Sequence, residues 1–204
     1  NDVLLVPRHG DISSRRDPSL ETKVTKNYSL KIPFISANMD TVTESEMALA
    51  MANRGGLGIL HRFMDPNDQV LQVKKIREGL SKMDHPLPLA ASIGVKEDGK
   101  LRADLLADVG VEILTIDIAH GDSVMMLEIL DHVKKKYPKI DIIAGNVATP
   151  DATKRLIEHG ADAVKVGIGP GSMCTTRIIT GHGVPQLTAV ALCASEASKY
   201  NVPV

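Results

Sequence analysis

Aromatic side chains are scarce in this chain: of its 204 residues, none is tryptophan, three are tyrosine and two are phenylalanine. The hydrophobic core must therefore be aliphatic, and the aromatic surfaces on which single-stranded nucleic acids stack are lacking. A formal net charge of −1 also provides no electrostatic attraction to nucleic acid or to an anionic membrane. We therefore expect neither as a partner.

Cysteine and long apolar runs are equally scarce. Cys174 and Cys193 are the two cysteines, which do not make a disulfide framework, so the composition favours a reducing, cytoplasmic location. No apolar run approaches the roughly 20 residues of a membrane span. The stretch NDVLLVPRHG lacks the charged region and cleavage site of a signal peptide. The length suits one sizeable core, and we predict a single domain over residues 1–204.

Short apolar segments alternate with amphipathic ones along most of the chain. The predicted strands are 32–37, 56–61, 87–94, 113–119, 141–147 and 163–169. The predicted helices are about 43–54, 66–80, 98–109, 122–136, 150–159 and 186–200. Successive strands begin 22 to 31 residues apart, which is typical of a parallel sheet with helical crossovers.

Six βα units do not complete an eight-stranded barrel, so we predict an incomplete TIM (β/α)8 barrel. Residues 201–204 would enter a seventh strand, and about two C-terminal units would be missing. A complete doubly wound sheet of six strands is the alternative. The barrel is favoured because polar residues follow the strands all round, and in a barrel these ends converge on one face. They are Ser36, Asn38, His61, Ser92, Asp117, Asn146 and Cys174.

Two segments stand outside the repeat. The first 30 residues are polar and rich in turn-forming residues, and we expect them to wrap the barrel or to reach a neighbouring subunit. Residues 79–88 are the only stretch that resembles a connection into which a domain could be inserted. We predict one domain without an insertion at this connection.

The stretch 165–176, KVGIGPGSMCTT, carries the strongest chemical signal. Its predicted strand continues into a loop whose three glycines let the backbone turn amides and carbonyls toward a ligand. Cys174 ends the loop beside two threonine hydroxyls, where a thiol of lowered pKa can act as a nucleophile. A buried cysteine in a tight strand-to-helix turn is the alternative, and the residues alone do not decide. The glycine spacing does not match the dinucleotide-binding fingerprint.

Other polar residues have two interpretations each. Asp117 ends an apolar strand, where its carboxyl group must be paired or line a polar cavity, unless it caps the next helix. His120 is a candidate base or a loop residue. Asn146 can recognise a base edge or tie the barrel rim together. Arg62 can pair with a phosphate or with a surface acid. No P-loop, HExxH or CxxC motif is present.

These blocks together resemble the inosine monophosphate dehydrogenase and guanosine monophosphate reductase family over essentially the whole chain. The matching blocks are DVLLVP (2–7), SANMDTVTE (36–44), GGLGILHR (55–62), IDIAHG (116–121), AGNVAT (144–149), KVGIGPGSMCTTR (165–177) and TGHGVPQL (180–187). The resemblance implies a TIM barrel, a homotetramer, and a cysteine that attacks C2 of a purine nucleotide.

The signatures of the two branches are mixed. Ser14-Arg15, Asn38 and Thr180 look like the reductase, whereas residues 42–44 and 55–59 are closer to the dehydrogenase. His120 stands where the best-known reductases have asparagine. On balance the resemblance predicts GMP reductase, which converts GMP and NADPH to IMP and ammonia. The alternative is IMP dehydrogenase, which oxidises IMP to XMP with NAD.

The resemblance also implies roles for individual residues. Cys174 is the nucleophile and Thr176 takes part in proton transfer. The cofactor is expected at Ser14, Arg15, Arg62, Asp117, Ile118, Ala119, Ile168 and Gly169. The nucleotide is expected at Ala37, Met39, Asn146, Gly171 and Ser172. A potassium ion is expected at Gly169, Gly171, Cys174 and Arg177, where a glycine loop offers carbonyl oxygens.

Overall fold

The computed structural model describes residues 3–84 and 86–204; Asp2 of the DVLLVP block and His85 of the connection 79–88 lie outside the described residues. The strands are β1 Thr22–Lys23, β2 Ser29–Leu30, β3 Ile35–Ser36, β4 Leu57–Leu60, β5 Ala90–Ile93, β6 Ile113–Asp117, β7 Asp141–Val147 and β8 Ala163–Val166. The helices are α1 Ser45–Asn53, α2 Pro66–Leu80, α3 Glu97–Asp108, α4 Val124–Lys136, α5 Pro150–Glu158, α6 Thr176–Thr180 and α7 Gln186–Ala197, followed by a 3-10 turn at Ser198–Tyr200.

The strands β3 to β8 form one parallel sheet in which each strand pairs with the one before it in the sequence. A doubly wound sheet reverses its strand order at a switch point, and no reversal occurs here. The sheet is instead the curled half of a (β/α) barrel, which confirms the predicted fold class. All six predicted strands are present, several of them shorter than predicted.

Both faces of the sheet are buried. In β6, Ile113 packs inside the curl with Leu57, Ile59 and Ile143, whereas Leu114 and Ile116 pack outside against the helices. This arrangement requires apolar residues at successive positions, so the strands read as continuous apolar runs instead of alternating patterns. The outer layer holds the larger apolar cluster.

The helix boundaries follow from capping residues that the sequence shows. The Asp65 side chain accepts the Asn67 backbone N–H at 2.8 Å, with Pro66 at the first helical position of α2. Thr149 caps α5 in the same way. Gly110 and Gly160 follow α3 and α5 with φ of +75° and +96°, which glycine adopts without strain. Among the described residues, no helix is both long and apolar enough to cross a membrane.

The amino-terminal arm separates into two parts. Residues 3–20 are exposed throughout, whereas β1 and β2 pair as an antiparallel hairpin that the sequence did not predict. Val24 and Leu30 of this hairpin join the apolar cluster inside the curl. The hairpin therefore covers the amino ends of the strands and leaves the carboxyl ends open.

Buried polar contacts hold the hairpin in place. Asp141, at the amino end of β7, is 2% exposed and accepts the Thr25 hydroxyl, the Asn27 backbone N–H and, at 2.7 Å, the Asn27 side-chain amide. The backbone N–H of Lys26 donates to the carbonyl of Asp162 at 3.0 Å. These bonds join the hairpin to β7 and to the residue before β8.

The outermost strands, β3 and β8, border an apolar cavity of about 480 Å³ that runs from the hairpin to Asn38. Beside it, the Val164 backbone N–H donates to the Pro203 carbonyl at 3.1 Å. This bond lies where a seventh strand would pair with β8, although residues 201–204 are not in strand conformation. The predicted seventh strand stays a prediction.

Removing the buried carboxylate should destabilise the fold. We expect Asp141→Ala to lower the free energy of unfolding by about 2–3 kcal/mol, because the buried Thr25 hydroxyl and two donors of Asn27 lose their acceptor. Asp131→Ala is the matched control, since the Asp131 side chain is 57% exposed and pairs only with His159 in the described structure. Urea unfolding of both variants checks this, and equal midpoints would contradict it.

Candidate active site

Four polar side chains meet at the open, carboxyl end of the sheet. Lys165 of β8 donates to Asp117 Oδ1 at 2.9 Å and to Asn146 Oδ1 at 3.1 Å. Asn38, after β3, donates from its side-chain amide to Asp117 Oδ2 at 2.9 Å. The parallel pairing of β6, β7 and β8 places Asp117, Asn146 and Lys165 side by side. We call Asn38, Asp117, Asn146 and Lys165 the rim network.

The rim network resolves the two interpretations of Asp117. The Ser123 hydroxyl, not Asp117, caps α4. The Asp117 side chain is 22% exposed and that of Lys165 is 34% exposed, so the pair faces the opening of the barrel. A carboxylate accepts up to four hydrogen bonds, and the described residues supply two of them. Asp117 therefore keeps acceptor positions for a ligand.

His61 and Arg62 follow β4 with different surroundings. His61 is 2% exposed, and its Nδ1 accepts the Phe63 backbone N–H, which leaves Nε2 to donate toward Glu44 at 3.4 Å. The Arg62 guanidinium lies 4.8 Å from the centre of the Phe63 ring. Its Nε is buried and has no hydrogen-bond partner within the described structure. That N–H is therefore left without an acceptor oxygen among the described residues.

A buried clamp supports this part of the rim. Gln69 donates from its side-chain amide to the carbonyls of His61 and Ser92, at 3.1 and 2.8 Å. Arg102 donates in turn to the Gln69 side-chain oxygen at 3.0 Å and to the Met64 carbonyl at 2.7 Å. The sequence analysis missed both residues, because a polar residue on a helix gives no sign of the strand ends that it reaches.

The cysteine loop, residues 167–175, leaves β8 through two glycines with φ of +136° and +68°. A side chain at the second of these, Gly169, would clash, since its Cβ would lie 2.9 Å from the Arg177 side chain and 3.1 Å from the His182 carbonyl oxygen. Cys174 stands near the end of the loop, just before α6. It is half-buried, whereas Cys193 is fully buried. The alternative of a buried structural cysteine therefore does not apply to Cys174.

The surroundings of Cys174 lower the pKa of its thiol below the ordinary value. The largest cause is hydrogen bonding to the Thr176 hydroxyl, whose oxygen lies 3.3 Å from Sγ; the Thr176 backbone N–H and the Arg177 charge act in the same direction. A hydroxyl can rotate to donate to the thiolate, which stabilises the charged form. The loop can therefore present a nucleophilic sulfur.

We call Gly167, where the cysteine loop begins, its root, and the residues around Gly171 its tip. The root is hydrogen-bonded to the rim network, and within the described structure the tip is not. The Asn146 amide donates to the Gly167 carbonyl at 2.9 Å, and the Gln186 amide donates to the Val166 carbonyl at 3.0 Å. At the tip, the Gly171 carbonyl accepts the Cys174 backbone N–H and the Arg177 guanidinium.

The remaining predicted site residues make no side-chain hydrogen bond with the rim network in the described structure. Ile118 exchanges backbone hydrogen bonds with β7 at Gly145 and Asn146. Ser14 makes hydrogen bonds within its own exposed turn. The predicted residues that are exposed are Arg15, Ala37, Met39, Ala119, Gly171 and Ser172, and His120 is exposed as well. Within residues 3–84 and 86–204, no group of three or more His, Cys, Asp or Glu side chains could hold a metal ion.

Lys165 is the rim residue that the sequence analysis did not assign. A lysine inside the apolar segment AVKV was the available signal, since a charged side chain in a buried strand requires a partner.

Comparison with known proteins agrees with the resemblance. Residues 1–204 match the family model described as the IMP dehydrogenase / GMP reductase domain. The inosine-5'-monophosphate dehydrogenase of Cryptosporidium parvum is 44% identical over 240 residues, which cover 100% of this chain and 59% of that protein. The enzyme of the same name from Borreliella burgdorferi is 39% identical over 246 residues, covering 99% of this chain and 61% of that protein.

A more distant relative, the inosine-5'-monophosphate dehydrogenase of Nitrosopumilus maritimus, is 31% identical over 322 residues, covering 100% of this chain and 68% of that protein. The chain thus spans about three fifths of the length of the first two relatives.

The environment of Cys174 makes a prediction about thiol reactivity. Thr176→Val removes the hydroxyl that stabilises the thiolate, so the pKa of Cys174 should rise and alkylation by iodoacetamide at pH 7 should slow. A rise of one unit in the pKa lowers the fraction of Cys174 that is thiolate at pH 7 by up to about tenfold. Thr180→Val, in the same short helix, is the control. Unchanged pH–rate profiles in Thr176→Val would contradict the assigned cause.

Proposed function

Since this chain belongs to the IMP dehydrogenase / GMP reductase family, we propose that it forms part of an IMP dehydrogenase, an oxidoreductase acting on a purine nucleotide. The observation that carries the proposal is the 44% identity, over the whole of this chain, to a relative of that name. Relatives of the same name from a bacterium and an archaeon support it. They favour the dehydrogenase over the reductase that the signature residues predicted.

The rim network explains why Asn38 does not distinguish the reductase from the dehydrogenase. Asn38, which resembles the reductase form, donates to the Asp117 carboxylate. That contact positions Asp117 whichever way hydride moves, so Asn38 is compatible with both reactions. Ser14, Arg15 and Thr180 are exposed and do not decide between the two branches.

The proposed reaction begins with the Cys174 thiolate, which adds to C2 of IMP. The C2–H bond then breaks and its electron pair leaves with the hydrogen as hydride, so that the purine remains bound to Sγ as a thioimidate. Water adds at C2, the C–S bond breaks, and XMP leaves as the thiolate is restored and a proton is released. Covalent catalysis of this kind divides one difficult substitution into two easier steps.

Thr176 supports this chemistry because its hydroxyl and backbone N–H lower the pKa of the Cys174 thiol and so favour the thiolate. In the nucleotide site, Gly171 and Ser172 lie in the exposed part of the cysteine loop, where their backbone amides can meet a phosphate. Ala37 and Met39 are exposed at the opposite border of the sheet, after β3. The nucleotide would bind between these two borders.

The residues expected at the cofactor fit a nicotinamide dinucleotide. Asp117 keeps free acceptor positions for hydroxyl groups, and the Arg62 Nε–H is buried without an acceptor. Ile118 and Gly169 belong to the segments that flank the rim network at β6 and β8. When bound, NAD supplies the acceptor for the hydride. NADPH would take the same place if the reaction were the reductase one.

The expected potassium site fits less well. The Gly171 carbonyl already accepts two hydrogen bonds, one of them from the positively charged Arg177 guanidinium. A cation at this oxygen would have to displace that charge. The residues as arranged do not offer Gly171 as a ligand, and a potassium ion at Gly169, Cys174 and Arg177 stays a prediction.

The proposed domain organisation is a single barrel domain in the region described, without an insertion between α2 and β5. The alignment with the archaeal relative extends over 322 residues, against 240 for the Cryptosporidium relative, so the archaeal protein has long stretches that this chain lacks. A homotetramer would bring the exposed turn at Ser14 and Arg15 to the cofactor of a neighbouring subunit.

The decisive assay follows nicotinamide absorbance with the full-length protein in two cuvettes. We expect absorbance at 340 nm to rise with IMP and NAD, because hydride leaves the purine. A fall with GMP and NADPH, accompanied by ammonia, would instead identify the reductase. Absence of change in both would contradict the proposal.

Cys174→Ala tests the covalent step in the same assay. Turnover should fall by at least about 10³-fold while IMP still raises the thermal midpoint, because the variant loses the nucleophile and keeps the binding surfaces. Cys193→Ala, at the buried cysteine, should keep full turnover. Full turnover in Cys174→Ala would exclude the covalent mechanism.

A further inference from the structure

We propose that Lys165 is a positioning residue of this site, which holds the Asp117 carboxylate in the orientation that receives the nicotinamide dinucleotide. The inference rests on the proposed function, because it takes the dinucleotide as the ligand of Asp117. Lys165 has no role in the chemistry itself, and its effect on the ligand passes through Asp117.

The first argument is the way in which the carboxylate is held. Lys165 donates to Oδ1 and Asn38 donates to Oδ2, each at 2.9 Å. A carboxylate that is held at both oxygens cannot rotate without breaking one bond, so its remaining lone pairs keep a fixed direction. Preorganised acceptors of this kind bind a ligand without the entropic cost of ordering it.

The second argument is that the neighbouring strand makes room for Lys165. Gly145 of β7 pairs in register with Lys165 of β8. A Cβ added at Gly145 would lie 2.6 Å from the Lys165 Cβ and would also collide with the Lys165 carbonyl oxygen. The absence of a side chain at position 145 therefore lets the lysine lie against β7 and reach across to β6.

The third argument is the connection to the cysteine loop. The Lys165 ammonium also donates to Asn146 Oδ1, while the amide nitrogen of Asn146 donates to the Gly167 carbonyl. The bond to Gly167 fixes which end of the Asn146 amide faces Lys165. The loop root thereby holds Asn146, and Asn146 holds the Lys165 ammonium beside Asp117.

The partial exposure of the pair argues against a purely structural role. The side chains of Lys165 and Asp117 are 34% and 22% exposed, so water at the opening can take over part of the hydrogen bonding when the ion pair is broken. Substitution should therefore leave the fold intact and change the site. Lys136, whose ion pair with Asp104 lies on the helical surface, provides a matched control.

The test measures NAD and IMP affinities separately in the full-length protein, from the rise in thermal midpoint with ligand concentration. We expect Lys165→Met to weaken NAD binding by about tenfold or more and to change IMP binding by less than about twofold. Lys165→Arg should restore most of the NAD affinity, and Lys136→Met should match the wild type. In turnover, Lys165→Met should raise KM for NAD more than it lowers kcat.

A double-mutant cycle with Asp117→Asn separates action through Asp117 from a direct contact. If Lys165 acts through the carboxylate, Lys165→Met should add no further loss in the Asp117→Asn background. Full additivity would overturn the inference, as would wild-type NAD affinity in Lys165→Met. Lys165→Gln is judged by the same criteria if Lys165→Met does not fold, and misfolding of both would show a structural role instead.

Failure of the proposed function gives a different result. A wild-type protein whose thermal midpoint responds to neither IMP nor NAD would overturn that function, whatever the variants do. A wild-type protein that responds to both, with an undiminished NAD response in Lys165→Met, would overturn only the role of Lys165.

Discussion

Parallel pairing of six consecutive strands is the constraint on which the rest of this structure depends. Parallel strands share one direction, so all carboxyl ends lie at one edge of the sheet and all amino ends at the other. Residues far apart in the sequence, such as Asn38 and Asp117, meet only because of this shared direction. The same constraint leaves the amino ends together, where the hairpin of β1 and β2 covers them.

The shared strand direction brings these polar side chains to one edge of the sheet, and the hydrogen bonds between them fix their relative positions. Asp117 and Lys165 fix each other, and Asn146 carries that order to Gly167 at the start of the cysteine loop. Beyond Gly167 the loop is held mostly by its own residues and by Arg177. In the proposed reaction, a rim held by hydrogen bonds beside a loop of glycines would let the nucleophile approach the nucleotide while the surfaces that bind it keep their places.

The sequence predicted those features whose causes are local. The strand at 141–147 and the helix at 66–80 have the predicted bounds, because a continuous apolar run and an Asp-Pro cap are visible in the residues themselves. The perturbed thiol could also be foreseen, since Thr176 stands two positions from Cys174. The hairpin was missed because its strands are two residues long and its anchor, Asp141, lies 116 residues from Thr25. The partner of Lys165 lies 48 residues away and was equally invisible.

Two carboxylates at opposite ends of the sheet show how hydrogen-bond saturation separates structural from functional acids. Asp141 is 2% exposed and accepts three hydrogen bonds from the hairpin, so little of its capacity remains and no ligand can reach it. Asp117 is held by two donors and its side chain is 22% exposed, which leaves half of its acceptor positions directed at the opening. Asp117 ends one apolar strand and Asp141 begins the next, so the two look alike in the sequence. What distinguishes them is the number of donors that the fold brings to each: Asp141 is used up by the fold, whereas Asp117 keeps acceptor positions that a ligand can reach.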